Sequence, residues 1–269
     1  MRPGRAHPIQ PRIEPMTDDS VARRGSRPRS RQRTSVVQVF AELLLTAGVL
    51  IGLFVVWQVW INNEISGATQ FQASEELSNE WAHAGSNPTT APSDKGDPVV
   101  GSKPKADEAF ANLIVPRFGK DFRRPIAEGV GLSVLNNVNL GMGHYPQSQM
   151  PGELGNFALA SHRSAYGGAF HTIHQLRVGD PIYVETKDGW YKYIYRNTEY
   201  VTVQGIGVIA PVPQELGEKA TERLITLTTC NPFYSSAERI IAYGVYDSWY
   251  PRADGPPKEI AKIADEVGN

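Results

Sequence analysis

Twenty-six consecutive residues, Val36 to Ile61, read VVQVFAELLLTAGVLIGLFVVWQVWI and carry one charge, at Glu42. Wound as a helix at about 1.5 Å per residue, the run measures about 39 Å, more than the ~30 Å hydrocarbon core of a bilayer. Trp57 and Trp60 lie at its far end, where aromatic belts sit. Glu42 lies near the entry side, within reach of the interface. A signal peptide would have a shorter apolar stretch and a small-residue cleavage site. No convincing A-x-A site follows Trp60, so the segment reads as an uncleaved anchor in contact with membrane lipid. This one element dictates the rest of the layout. Arg2, Arg5, Arg12, Arg23, Arg24, Arg27, Arg29, Arg31 and Arg33 precede it against Glu14, Asp18 and Asp19. The excess of arginine predicts a cytoplasmic N-terminus, a single pass through the cell membrane and an extracellular remainder.

Five segments follow from this reading. Residues 1–35 are basic and rich in Pro, Ser and Gly, a composition that predicts a disordered cytoplasmic tail. Residues 36–61 are the anchor. Residues 62–105 hold a polar helical stretch, EISGATQFQASEELSNEWAHA, and then a Pro/Gly/Ser linker. Residues 106–252 have the apolar alternation of a folded domain, and residues 253–269 form a tail with a short helical pattern, KEIAKIADEV. The formal net charge of −1 gives no global attraction to nucleic acid. The chain has one cysteine, Cys230, so an internal disulfide is impossible and the exported domain holds a free thiol.

Within residues 106–252, AFANLIVPRFG, RRPIAEGV, GNFALASH, RLITLTTC and RIIAYGVYDSWY read as strands. PIYVETKDGWYKYIYRNTEYV reads as two strands around Asp188-Gly189, a hairpin signal. GLSVLNNVNL and GGAFHTIHQLRVGD read as short helices, the first leaving through a Gly-rich exit at Gly141-Met142-Gly143. Many short strands with few helices predict a mainly β fold, a closed or nearly closed β-barrel.

A lone cysteine is more often a small buried hydrophobe than a reagent. Cys230 ends the β-branched run RLITLTTC just before the turn signal Asn231-Pro232, so the thiol sits where a strand opens into a loop. The pattern T-L-x-T-C, here TLTTC at residues 226–230, resembles the active-site signature of the sortases, cysteine transpeptidases of the Gram-positive cell surface. The resemblance covers about Ala106 to Tyr250 and implies a sortase-type closed barrel. It assigns Cys230 as nucleophile. GNFALASHR, Gly155 to Arg163, resembles the strand that ends in the catalytic histidine, which implies that role for His162. An imidazole suits proton transfer to and from an amine. Arg239, nine residues after the cysteine, matches the sortase arginine. Its fork of donors suits an oxyanion or substrate carbonyls. Thr229, next to the nucleophile, is a further candidate for oxyanion or substrate binding.

Gly143-His144-Tyr145-Pro146 followed by PGELGNFALASHR resembles in particular the class E, housekeeping sortases of high-GC Gram-positive bacteria. That likeness implies that Tyr145 lines the substrate groove and favours Ala over Pro at the second position of the sorting motif, LAXTG over LPXTG. Ser161 stands where many relatives have Gly, and Gln147-Ser148 replaces an expected Gly-Thr; neither change removes a catalytic group. His171 and His174, spaced i and i+3, make a poor metal site without a nearby carboxylate or thiol. Glu215, Glu218 and Glu222 form no clear calcium cage. The expectation is therefore an enzyme without metal or cofactor. Its expected partners are secreted proteins bearing C-terminal sorting signals and a lipid-linked peptidoglycan precursor amine. Papain-like peptidases place Cys before His, the reverse of the order here, and the Ser-x-Gly-Cys context of L,D-transpeptidases is absent. A pilin-polymerising sortase and a catalytically silent wall-binding module remain as alternatives.

Overall fold

The computed structural model describes residues 35–57, 61–84 and 97–265. The basic tail, Trp60 and the first part of the linker lie outside them. Helix α1, Val36–Val56, has no buried residue and is long and apolar enough to cross a membrane by length and composition. Its one carboxylate, Glu42, accepts a hydrogen bond from Gln38 Nε2 one turn earlier at 3.2 Å. Helix α2 follows at Asn62–Ala84.

Eight strands form the body of the fold: β1 Ala109–Ile114, β2 Arg123–Glu128, β3 Met142–His144, β4 Gly155–Ser161, β5 Pro181–Thr186, β6 Gly189–Thr202, β7 Arg223–Asn231 and β8 Glu238–Pro251. They close into a barrel in the order β1-β2-β3-β4-β7-β8-β6-β5. A one-turn helix α3, Leu132–Leu135, precedes β3, and α4, Ala261–Asp265, ends the described chain. The hairpin expected at Asp188-Gly189 joins β5 to β6 with Thr186 opposite Gly189. Alternation along the strands sends Leu113, Ile126, Phe157, Leu159, Ile182, Val184, Ile225, Leu227 and Ile240 into one continuous core. The Gly-rich stretch read as a helix exit instead forms β3, a three-residue strand parallel to β2 and antiparallel to β4.

Strands β4 and β7 run parallel over Gly155↔Arg223 to Ala160↔Thr228. Every residue of β4 is buried, as expected of a strand covered on both faces. Asn156 fastens the outer cover. Its Nδ2 donates to the carbonyls of Val208 and Ala210 in the β6–β7 connection, at 3.1 and 3.0 Å, while Thr226 donates to its Oδ1 at 2.7 Å.

Helix α2 is docked on the barrel. Ser66, Gln70, Ser74 and Ser78, at four-residue spacing, are buried. Ser78 Oγ donates to Glu185 Oε1 at 2.6 Å, and Asn112 Nδ2 donates both to Ser74 O and to Glu185 Oε2 at 3.0 Å. Arg252 Nη2 completes the set at 2.9 Å from Glu185 Oε1. One fully buried carboxylate on β5 thus holds α2, β1 and the segment after β8. The tail contributes as well, because Ile260 and Ile263 pack on Ile114, Tyr183 and Trp190 in a second apolar cluster. Removing one member of a buried, hydrogen-bonded ion pair leaves its partner uncompensated and costs about 3–5 kcal/mol. Glu185→Ala is therefore expected to lower stability by about that much, read by urea unfolding of the detergent-solubilised chain.

Candidate active site

Two registers bring the chemistry together. The β4–β7 pairing has a constant offset, Ala160 beside Thr228 at its last rung. Strand β4 ends one residue later, at Ser161, and His162 is the first residue beyond it. In the antiparallel β7–β8 pairing, Cys230 faces Arg239. The exit of β4 at His162 and the Cys230–Arg239 rung therefore lie at the same end of adjacent strands. Residues 68 and 9 positions apart in the chain meet at one barrel edge.

Cys230 is half-buried and free. Its carbonyl lies 3.5 Å from Arg163 Nη1, which also donates to Asn231 Oδ1. The Arg163 guanidinium stacks on the Phe233 ring, 4.1 Å from its centroid. Arg163 itself is 7% exposed, so a second arginine, deeper than Arg239, secures the strand end that carries the thiol.

His162 Nε2 lies 2.8 Å from Asn136 Oδ1. An amide oxygen only accepts, so Nε2 carries the proton in this contact. The ring packs at 5.2 Å from the Tyr166 ring, tilted by 32°. Burial penalises the imidazolium and holds the His162 pKa below its ordinary value. Arg239 Nη1 donates to the carbonyls of Ser236 and Glu238, at 3.1 and 3.0 Å. The Glu238 carboxylate accepts from Asn231 Nδ2 at 3.0 Å.

Tyr145 follows β3, and its hydroxyl lies 3.1 Å from Thr228 Oγ1. Thr228 in turn donates to Leu159 O at 3.0 Å, so the tyrosine is the donor between the two hydroxyls. Thr228 and Cys230 are two residues apart on β7 and share a face. Tyr145 thus closes over the same face that carries the thiol. Thr229 points to the other face. It is buried, and its hydroxyl donates to Ser161 O at 2.7 Å. Ser161, the departure from the family pattern, donates to Gly141 O at 2.6 Å. His144 sits beneath Tyr145 between Glu128 Oε2 at 2.5 Å and Gln149 O at 3.0 Å, stacked on Phe157.

Sequence reasoning missed Arg163, Asn136 and Thr228. Arg163 and Thr228 were visible only as neighbours of the motif residues, and Asn136 lies 26 positions before the histidine it meets. Both His171 and His174 face Phe233, at 4.7 and 6.3 Å between ring centroids. Among the described residues no group of three or more His, Cys, Asp or Glu could hold a metal ion.

A Sortase domain family model matches residues 113–247. Sortase SrtE2 of Streptomyces coelicolor is 32% identical over 252 residues, which cover 88% of this chain and 93% of that protein. Sortase SrtE1 of the same organism is 35% identical over 243 residues; the match covers 88% of this chain but 64% of the relative's length. Among solved structures, the SrtA sortase from Actinomyces oris superposes with a TM-score of 0.57 at 36% identity, over 60% of this chain and 92% of that one. Sortase E1 from Streptomyces coelicolor with a tripeptide in the active site gives 0.52 at 36% identity, over 58% and 99%.

The burial of His162 has a measurable consequence. In an NMR titration of ring-labelled protein its midpoint is expected below the ordinary histidine value of 6.5. Because the unfolded chain takes up that proton first, the contribution of His162 to stability is present above the unfolded midpoint. It is lost as pH falls from there through the folded midpoint.

Proposed function

The chain belongs to the sortase family, and on that premise we propose that it is a membrane-anchored cysteine transpeptidase acting on C-terminal sorting signals. The observation that carries this reading is the Cys230–Arg239 rung of β7 and β8, with His162 at the exit of the neighbouring strand β4. In the proposed reaction the Cys230 thiolate attacks the Thr–Gly carbonyl of the signal. Arg239, whose guanidinium has donors beyond the one hydrogen-bonded to the chain, steadies the tetrahedral oxyanion. His162 transfers its proton to the leaving glycine amine, the C–N bond breaks, and a thioacyl enzyme remains. An amine from a lipid-linked peptidoglycan precursor then attacks the thioester. It loses a proton to His162, forms a new amide and releases the Cys230 thiolate, which restores the starting state. Asn136 and Tyr166 support the role of His162 by holding one face and one nitrogen of the ring.

The finer assignments rest on the groove and the anchor. The Tyr145–Thr228 hydrogen bond narrows the face beside Cys230, which supports a preference for Ala over Pro in the second position of the motif. With its hydroxyl engaged by Ser161, Thr229 would contribute to the oxyanion site through its backbone. The arginine-rich N-terminus supports a cytoplasmic start and a catalytic domain on the outer side. There both substrates are at hand.

The test uses the detergent-solubilised full chain with LAXTG and LPXTG peptides and an amine acceptor, products being read by mass spectrometry. Thr–Gly cleavage with amine-dependent ligation is expected, faster on LAXTG. Cys230→Ala should abolish the thioacyl species. His162→Ala and Arg239→Ala should each slow turnover by about 10²–10⁴-fold, as loss of an acid or an oxyanion donor does. A near-normal rate in either variant removes that residue from its role.

A further inference from the structure

The loop that follows His162 is held from outside the barrel. Its backbone is unusual: Tyr166, Gly167 and Gly168 all have positive φ, at 50°, 85° and 47°. For a tyrosine that region is disfavoured and persists only where neighbours impose it. The neighbours here are side chains of α2. Gln70 is 0% exposed, and its Nε2 donates to the Tyr166 carbonyl at 2.9 Å. Asn63, two turns earlier, donates from Nδ2 to the Ser164 carbonyl at 3.0 Å.

The amide of Gln70 lies in a cradle of two glycines. A Cβ built on Gly141 would stand 2.1 Å from Gln70 Nε2, and one on Gly167 would stand 2.7 Å from Oε1. Gln70 Oε1 has no hydrogen-bond partner among the described residues. Packing alone would be served by an apolar residue without that unpaired oxygen. What an amide supplies is a directed bond to one carbonyl, which fixes one loop conformation. That carbonyl belongs to the residue whose ring lies 5.2 Å from His162.

We propose that Gln70, assisted by Asn63, is a positioning residue for His162, and that the helix next to the membrane anchor is a working part of the active site. The inference rests on the transpeptidase reading for its effect on rate, but its structural half does not. With the Gln70 bond in place, Tyr166 holds the imidazole in the orientation that Asn136 also selects. Without it the loop relaxes and the ring is free to turn away from Cys230. The nucleophile itself, on β7, is untouched. In sequence, Asn63 lies two residues beyond the apolar run that ends at Ile61. The hold on the catalytic loop therefore begins where the anchor ends.

The experiment uses the full chain in detergent with Gln70→Leu, which fills the same space without the bond, and Asn63→Ala as a second, independent variant. Three quantities are read: melting temperature, kcat and KM for the sorting peptide, and the NMR signal of the His162 ring carbon and its proton. That signal carries a ring-current shift from Tyr166. The proposal expects an unchanged melting temperature, an unchanged KM, a kcat lower by about tenfold to a hundredfold, and a displaced His162 signal. The rate of Cys230 alkylation should stay as in the parent chain. An unmoved His162 signal in both variants overturns the proposal, as does a kcat loss that follows a lowered melting temperature and disappears on cooling. If the parent chain cleaves no peptide, the transpeptidase reading fails. The NMR shift still decides whether Gln70 positions the ring.

Discussion

The parallel pairing of β4 with β7 is the constraint from which the site follows. Two parallel strands end at the same edge of a sheet, so whatever leaves their C-terminal ends is brought together. Here those ends carry Ser161-His162 and Cys230-Asn231. A parallel neighbour cannot be reached by a tight turn. The chain between the two strands makes the β5–β6 hairpin and the connection that Asn156 pins by its amide. A slip of one residue in this pairing would turn Cys230 to the core and Thr229 to the groove. The hydrophobic alternation of Ile225 and Leu227 against Phe157 and Leu159 forbids that slip. The core thus decides which residues at the ends of β4 and β7 come together.

Polar groups buried around the barrel do complementary work. Glu185 ties three segments distant in sequence, and the Glu128–His144 pair supports the turn from which Tyr145 reaches Thr228. Such groups are costly to bury singly and tolerable when every partner is present. The guanidinium of Arg163, stacked on Phe233 and bonded beside Cys230, applies the same logic to the loop between Cys230 and Arg239.

Much of this was readable from the amino-acid sequence, for identifiable reasons. The long apolar helix, the hairpin at Asp188-Gly189 and the β4 and β7 strands announce themselves through length, turn chemistry and β-branched runs. Local motifs bracket His162, Cys230 and Arg239, and the roles given to them belong to the proposed function. Strand β3 was not legible, because three residues flanked by glycines carry no periodic signal and exist only through pairing with β2 and β4. The docking of α2 was hidden by chemistry. Ser66, Gln70, Ser74 and Ser78 look like a solvated face, yet they are its buried one, and Gln70, the Ser74 carbonyl and Ser78 meet polar partners beyond the helix. The tail was read without a role because Ile260 and Ile263 are two isolated apolar residues, and only the fold shows the cluster they complete. Asn136 lies in a stretch whose spacing suggested a helix, and its bond to His162 is a tertiary fact.

The docking of α2 moves the start of the folded unit. By composition the Pro/Gly/Ser segment after α2 reads as a tether, with the folded domain beginning beyond it. Yet α2 is fastened to the barrel through Gln70, Ser74 and Ser78. A fragment begun after that segment would lack the hydrogen bond that Ser78 gives to Glu185 and the one that Gln70 gives to the Tyr166 carbonyl. Each acceptor would lose a partner, so the smallest piece of this chain that keeps these contacts starts at α2.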